Sequence, residues 1–244
     1  VAETRIEPAA GLEQLLARKA ALGQRAAATP QFGPRLQELR AWQAGRLAGT
    51  YKDLRGDPRY ARAVEFFLSD LYGPRDFSPR DRELARAWRY LKRSLPGAAR
   101  AALERAIELE VLSAELDHLM VEALPPSPLS AAGYAKAYRA VGQRAARERQ
   151  IELVIATGAN LDSIVRHAWV GAALRLARAP AHAAGFGVLQ DFLERGFAAF
   201  AAMHDAGPFL SRIRERETAL MNELLAGGGG EARAGGPEHG LRNG

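Results

Sequence analysis

The stretch from Pro96 to Leu124 constrains the fold more than any other, because its hydrophobic pattern leaves a helix almost no side to expose. At about 100° per residue, Glu104, Glu108, Glu115 and Glu122 gather in one narrow wedge. Leu103, Ile107, Leu109, Val111, Leu112, Ala114, Leu116, Leu119 and Val121 fill most of the remaining circle. A helix apolar around most of its circumference must be covered on several sides, so this one is expected to be the central rod of a helical bundle. Within the apolar arc, seven residues apart, stand Glu110 and Asp117. An ionised carboxylate without a partner is very costly to bury, so each must meet a cation, a proton or a wet face.

The same conflict recurs on two other predicted helices. Glu148 and Glu152 fall within the apolar stripe of a helix read over Ser130 to Thr157, and Glu217 falls among Leu210, Ile213, Leu220 and Leu224. Two chemistries satisfy such acids. The leading expectation is internal pairing with Arg144, Arg80 or Arg149. The alternative is a divalent metal, iron for instance, held by Glu110, Asp117, His118, Glu148 and Glu152, because Glu115-Leu116-Asp117-His118 has the Glu-x-x-His spacing of di-iron carboxylate bundles. That match is imperfect: Glu115 lies in the polar wedge and no second Glu-x-x-His exists. No cofactor is therefore favoured, and a general acid/base pair with a raised carboxylate pKa is the remaining variant. His118 is expected to be a half-buried, hydrogen-bonded side chain. His167 borders an apolar face, and His182 and His204 sit at helix ends.

Turn and cap signals divide the rest. A first helix is read from Glu7 to Ala28, a second from Pro34 to Arg55-Gly56, and a third from Asp57-Pro58 to Leu71, with Phe66 and Phe67 pointing to opposite sides. Ser78-Pro79-Arg80-Asp81 is a well-formed N-terminal signature for a fourth, which turns Leu84, Trp88 and Leu91 inward. Pro125-Pro126-Ser127-Pro128 ends the central helix. Gly158 is read as closing the helix begun at Ser130, with Asn160 capping a seventh that ends before Pro180; the last two run from about His182 to Met203 and from Gly207-Pro208 to Leu225. No segment alternates as a strand does. The expected fold is an all-α bundle of about eight helices. Residues 1–32 form a peripheral helix and linker, 33–225 a single bundle domain, and 226–244 a Gly-rich disordered tail.

On the fourth helix Arg82, Arg86, Arg89 and Arg93 form one basic stripe opposite the apolar face. Like charges at this spacing repel by about 0.2–0.5 kcal/mol per pair, so the stripe needs neighbouring acids or a partner. A second candidate is the connector Tyr72, Gly73, Pro74, Arg75, Asp76 and Phe77, a loop between well-marked helix ends. Aromatics interleaved with the arginines would favour nucleic-acid stacking, but the aromatics of this helix are read as facing inward, which favours an acidic protein.

The segment Phe66-Phe67-Leu68-Ser69-Asp70-Leu71-Tyr72, continuing through Gly73-Pro74-Arg75-Asp76-Phe77-Ser78-Pro79-Arg80-Asp81, resembles the bacterial FFLEELY-motif proteins. Ser69 and Asp70 depart from the two glutamates of the motif, and Arg147-Glu148-Arg149-Gln150-Ile151 fits the same family. The resemblance labels a family and brings no chemistry with it.

Composition narrows the function by exclusion. The absence of cysteine removes disulfides, thiolate metal sites and cysteine nucleophiles, and fits a reducing compartment. No apolar run reaches the roughly 18 residues that span a bilayer, and no secretory signal opens the chain, so a cytoplasmic protein is expected. The net charge of +6 comes from arginine, with only Lys19, Lys52, Lys92 and Lys136 as lysines, and is weak support for a nucleic-acid partner. No serine sits in a Gly-x-Ser-x-Gly context, and Gly185-Phe186-Gly187 follows no strand. The leading expectation is a non-catalytic interaction or ligand-binding protein. A metal-binding carboxylate/histidine bundle enzyme is the alternative.

Overall fold

In the computed structural model, which describes residues 11–71, 78–91, 93, 97–126 and 128–227, Gly97–Ala123 is a single helix of 27 residues, about 40 Å long. Eleven α-helices appear among the described residues: α1 Leu12–Ala28, α2 Phe32–Thr50, α3 Lys52–Gly56, α4 Ala61–Phe66, α5 Ser78–Leu91, α6 Gly97–Ala123, α7 Ala131–Val141, α8 Arg144–Val165, α9 Ala168–Ala183, α10 Gly187–Ala201 and α11 Gly207–Ala226. Phe67–Leu71 continues α4 as a π-helical turn. The protein is all-α, and no helix among the described residues is long and apolar enough to cross a membrane.

The wheel of α6 is realised as contacts on several sides, with α1, α2, α7 and α8 packed against it. Ile107 and Val111 join Leu12 and Leu15 of α1 and Trp88 of α5. Leu112 and Leu116 meet Leu153 of α8. Met120 meets Leu39, Tyr134, Tyr138, Met221 and Leu224. The largest core cluster, however, contains no residue of α6. It lies among α3, α4, α10 and α11, with Leu54, Tyr60, Val64, Phe200, Met203, Phe209 and Leu210 at its heart. Phe66 and Phe67 do diverge: Phe66 packs on Phe192, and Phe67 on Phe200 and Phe209.

Several boundaries differ from the sequence expectation: the second helix ends at Thr50 with α3 following from Lys52, the helix read from Asp57-Pro58 begins at Ala61, and α10 begins at Gly187 and not near His182. The helix read over Ser130 to Thr157 is broken at Gly142 and Gln143, both with positive φ (61° and 56°), so α7 and α8 are separate rods with unrelated helical phases. Glycine tolerates that region freely; glutamine adopts it at a cost. Gly158, read as a stop, and Asn160, read as the cap of the next helix, both lie inside α8, and α9 begins after His167. A Cβ on Gly158 would come within 2.5 Å of Leu210 Cδ2, so this glycine serves the close approach of α8 and α11. Similarly α9 runs one turn beyond the expected end and contains Pro180. The connector 72–77 and the tail 228–244 lie outside the described residues.

Candidate functional site

The part-buried acids are answered individually by cations from different helices. Glu110 of α6 accepts from Lys19 of α1 and, at 2.8 Å, from Arg80 of α5. Asp117, two turns further on, accepts from Arg40 Nε at 3.2 Å and Gln43 Nε2 at 3.1 Å. Glu217 of α11 accepts from Arg46 Nη1 at 3.0 Å and Tyr51 Oη at 2.8 Å. Arg40, Gln43 and Arg46 recur every three residues on α2, so one helix presents a polar edge to both α6 and α11. An arginine meets each of these three acids, Arg80 at Glu110, Arg40 at Asp117 and Arg46 at Glu217, with Lys19 added at Glu110; Arg144 and Arg149 meet none of them.

Arg144, Glu148 and Glu152 do not belong to this interior and their expected burial is corrected. All three are exposed, Arg144 bonding to Glu148 and Asn222, and Glu152 pairing with Arg149 on the surface. The break at Gly142–Gln143 resets the phase of α8, which turns Arg147 and Leu153 inward and the two glutamates outward. Arg147, only 6% exposed, donates to the Gly142 carbonyl at 2.8 Å and stacks 3.5 Å above the Tyr138 ring. Nothing in a single-helix wheel marks Arg147. Lys19 carried a usable signal, a cation inside the stripe Leu12, Leu15, Leu16, Leu22.

Glu110, Asp117, His118, Glu148 and Glu152 therefore do not gather as ligands, and no three His, Asp or Glu side chains do so among the described residues. The electrostatics of the two central acids diverge. Burial pushes the Glu110 pKa up, but Lys19 and Arg80 outweigh it and hold the carboxyl below its ordinary value. For Asp117 burial prevails over Arg40 and Gln43, and the pKa is raised.

His118 is 4% exposed, packs on the Phe32 ring at 4.7 Å, and its Nδ1 has no hydrogen-bond partner among the described residues. Burial, with Arg25 and Arg40 nearby, lowers its pKa to about 4. Between about pH 6.5 and 4 the unfolded chain then binds a proton that the folded one refuses. Stability falls as pH drops through this window, with a slope of at most about 1.4 kcal/mol per pH unit from this group. His118→Leu is expected to remove that component of the slope and to be neutral or slightly stabilising at pH 7. Unfolding midpoints measured from pH 4 to 7.5 test this, and an unchanged pH dependence would contradict it.

The basic stripe lies on the outside. Arg82, Arg86 and Arg89 are exposed on α5, whereas Arg93, expected on the same helical stripe, is exposed two residues past the helix end at Leu91; none of the four forms an ion pair among the described residues. Arg86 donates to the Gly185 carbonyl and lies 4.9 Å above the Phe186 ring, which ties α5 to the α9–α10 turn. The acids of the same helix are engaged elsewhere: Asp81 with Lys19 and Arg80, Glu83 with the Leu189 amide at 2.8 Å at the start of α10. An open groove of about 600 Å³ runs along Pro79, Arg82, Glu83, Ala85, Arg86 and Arg89. Trp88 faces inward as expected, whereas Tyr90 is largely exposed beside the stripe. No curated protein and no solved structure matches the chain. From residue 22 to residue 230 the sequence matches the family described as Domain of unknown function (DUF8198), and the chain belongs to that family.

Proposed function

We propose that this is a non-catalytic cytoplasmic interaction protein that docks an acidic protein partner on the arginine stripe of α5. The observation that carries the reading is that Arg82, Arg86 and Arg89 share one exposed face of α5, with Arg93 exposed just past its end, and no carboxylate meets them among the described residues. Their mutual repulsion gives the isolated domain nothing, and it becomes an asset when an acidic surface arrives. The interior supports the same reading, since Glu110, Asp117 and Glu217 each face a cation of their own, as an architectural acid does. Kinship with FFLEELY-motif proteins stays with this reading as a label only. Tyr90, the one exposed aromatic beside the stripe among the described residues, is a poor platform for stacking successive bases, so protein is preferred to nucleic acid.

The test is affinity capture with the wild-type protein and the Arg82→Glu/Arg89→Glu variant. Both sites are exposed, so the variant is expected to melt within a few degrees of wild type. Recovery of a stoichiometric acidic partner is expected to fall by about tenfold or more, which corresponds to about 1.4 kcal/mol. Unchanged recovery would refute the reading, and salt-sensitive capture of single-stranded DNA in place of a protein would assign the stripe to nucleic acid.

A further inference from the structure

We infer that the outward face of α9 is a second docking surface, shaped for an amphipathic helix with acidic flanks contributed by another protein. Trp169, Ala173, Leu176 and Pro180 follow one another at spacings of four, three and four residues, with Ala172, Ala179 and Ala183 beside them. On a helical wheel this arc contains no polar residue. Trp169 is 70% exposed and Leu176 80%, on a helix that packs chiefly against α10. The opposite side makes that packing: Gly171 is buried, the Leu174 carbonyl accepts from Gln190, Arg178 pairs with Glu194, and His182 with Asp191, the last three partners all on α10. Soluble domains seldom leave about four turns of one helix face wholly apolar without a use for it.

Charge selects the occupant. Ala168–Ala183 contains no acidic residue, and Arg175, which makes no ion pair among the described residues, borders the stripe. A second copy of the chain would bring a basic edge against an equally basic edge across the two-fold axis, with no acid on α9 to meet it. A bilayer is a poorer fit, because only Trp169 and Leu176 among the outward residues are large, the rest being alanine and proline. For a helix those small residues are an advantage. Trp169 and Leu176 stand about 10 Å apart along the axis, and the alanines between them leave hollows for the knobs of a partner. Acids flanking such a seam would meet Arg175. The proposal rests on α9 residues alone and does not depend on the α5 stripe, whose Arg86 reaches the α9–α10 turn at Gly185.

The full chain is titrated with two synthetic three-heptad peptides that share a leucine seam, one flanked by glutamate and the other by lysine. Tryptophan emission is the readout, since Trp88 is buried, Trp42 is half-buried and Trp169 is exposed; Trp169→Phe should abolish the signal while labelled-peptide anisotropy still reports binding. Saturable binding of the glutamate peptide with a blue shift is expected, and the lysine peptide should bind about tenfold or more weakly. Leu176→Ser should weaken binding by a similar factor, Arg175→Glu should reverse the preference, and Arg82→Glu/Arg89→Glu should leave it unchanged, which separates a failure here from a failure of the α5 stripe. Equal binding of both peptides, or binding of neither, would overturn the inference. So would self-association lost on Leu176→Ser, or a blue shift produced by phosphatidylglycerol vesicles and not by the peptide.

Discussion

Glu217→Ala is expected to lower the unfolding free energy by about 3–5 kcal/mol and the melting temperature by roughly 6–20 °C, measured by circular dichroism in heat and in urea. Arg46, 8% exposed, loses the one carboxylate it contacts among the described residues, and its Nε already has no hydrogen-bond partner there. Tyr51 loses its acceptor at the same time. Removing one member of such a pair leaves a charge in a poorly solvated place, which is worse than removing both. Arg46→Met/Glu217→Leu should accordingly recover most of the loss. A cost below about 1 kcal/mol for the single substitution, the range of exposed ion pairs, would show that water reaches Arg46 and that this part of the interior is not dry.

Phe200→Ala should cost about 3–5 kcal/mol by the same measurements. Its ring is fully buried in the cluster formed by α3, α4, α10 and α11, with Phe67 at 6.2 Å and Met203, Phe209 and Leu54 in the same core. These neighbours belong to separate elements, so filling the void requires helices to move together. Leu176→Ala, on the open face of α9, is the control and should change stability by less than about 0.5 kcal/mol. If the two substitutions cost the same, the aromatic cluster is not the second centre of the fold.

Arginine plays two distinct parts in this molecule. Arg40 and Arg46 tie α2 to α6 and α11 through Asp117 and Glu217, and Arg80 ties α5 to α6 through Glu110. Those pairs position helices. On the far side of α5, Arg82, Arg86 and Arg89 meet no acid among the described residues.

The all-helical class, the central helix, the start of α5 at Ser78 and the stop after Leu124 were all legible in the residues. Each depends on a local rule: the 3.6-residue period, a capping signature, or the inability of proline to continue a helix. The demand that Glu110, Asp117 and Glu217 find cations was legible too, since the cost of burying charge belongs to the acid alone. Which cations answer was not. Arg46 and Glu217 lie 171 residues apart, Arg40 and Asp117 77 apart, and Lys19 and Glu110 91 apart, so the pairings exist only once helices lie side by side. A continuous helical wheel through Gly142 and Gln143 puts Glu148 and Glu152 inside. Two backbone angles turned that wheel and brought Arg147 in instead. By itself the sequence determined a core of helices with acids that need partners. Only the tertiary structure decided the partners and the open faces, because helix phase and neighbour contacts are properties of the packed chain.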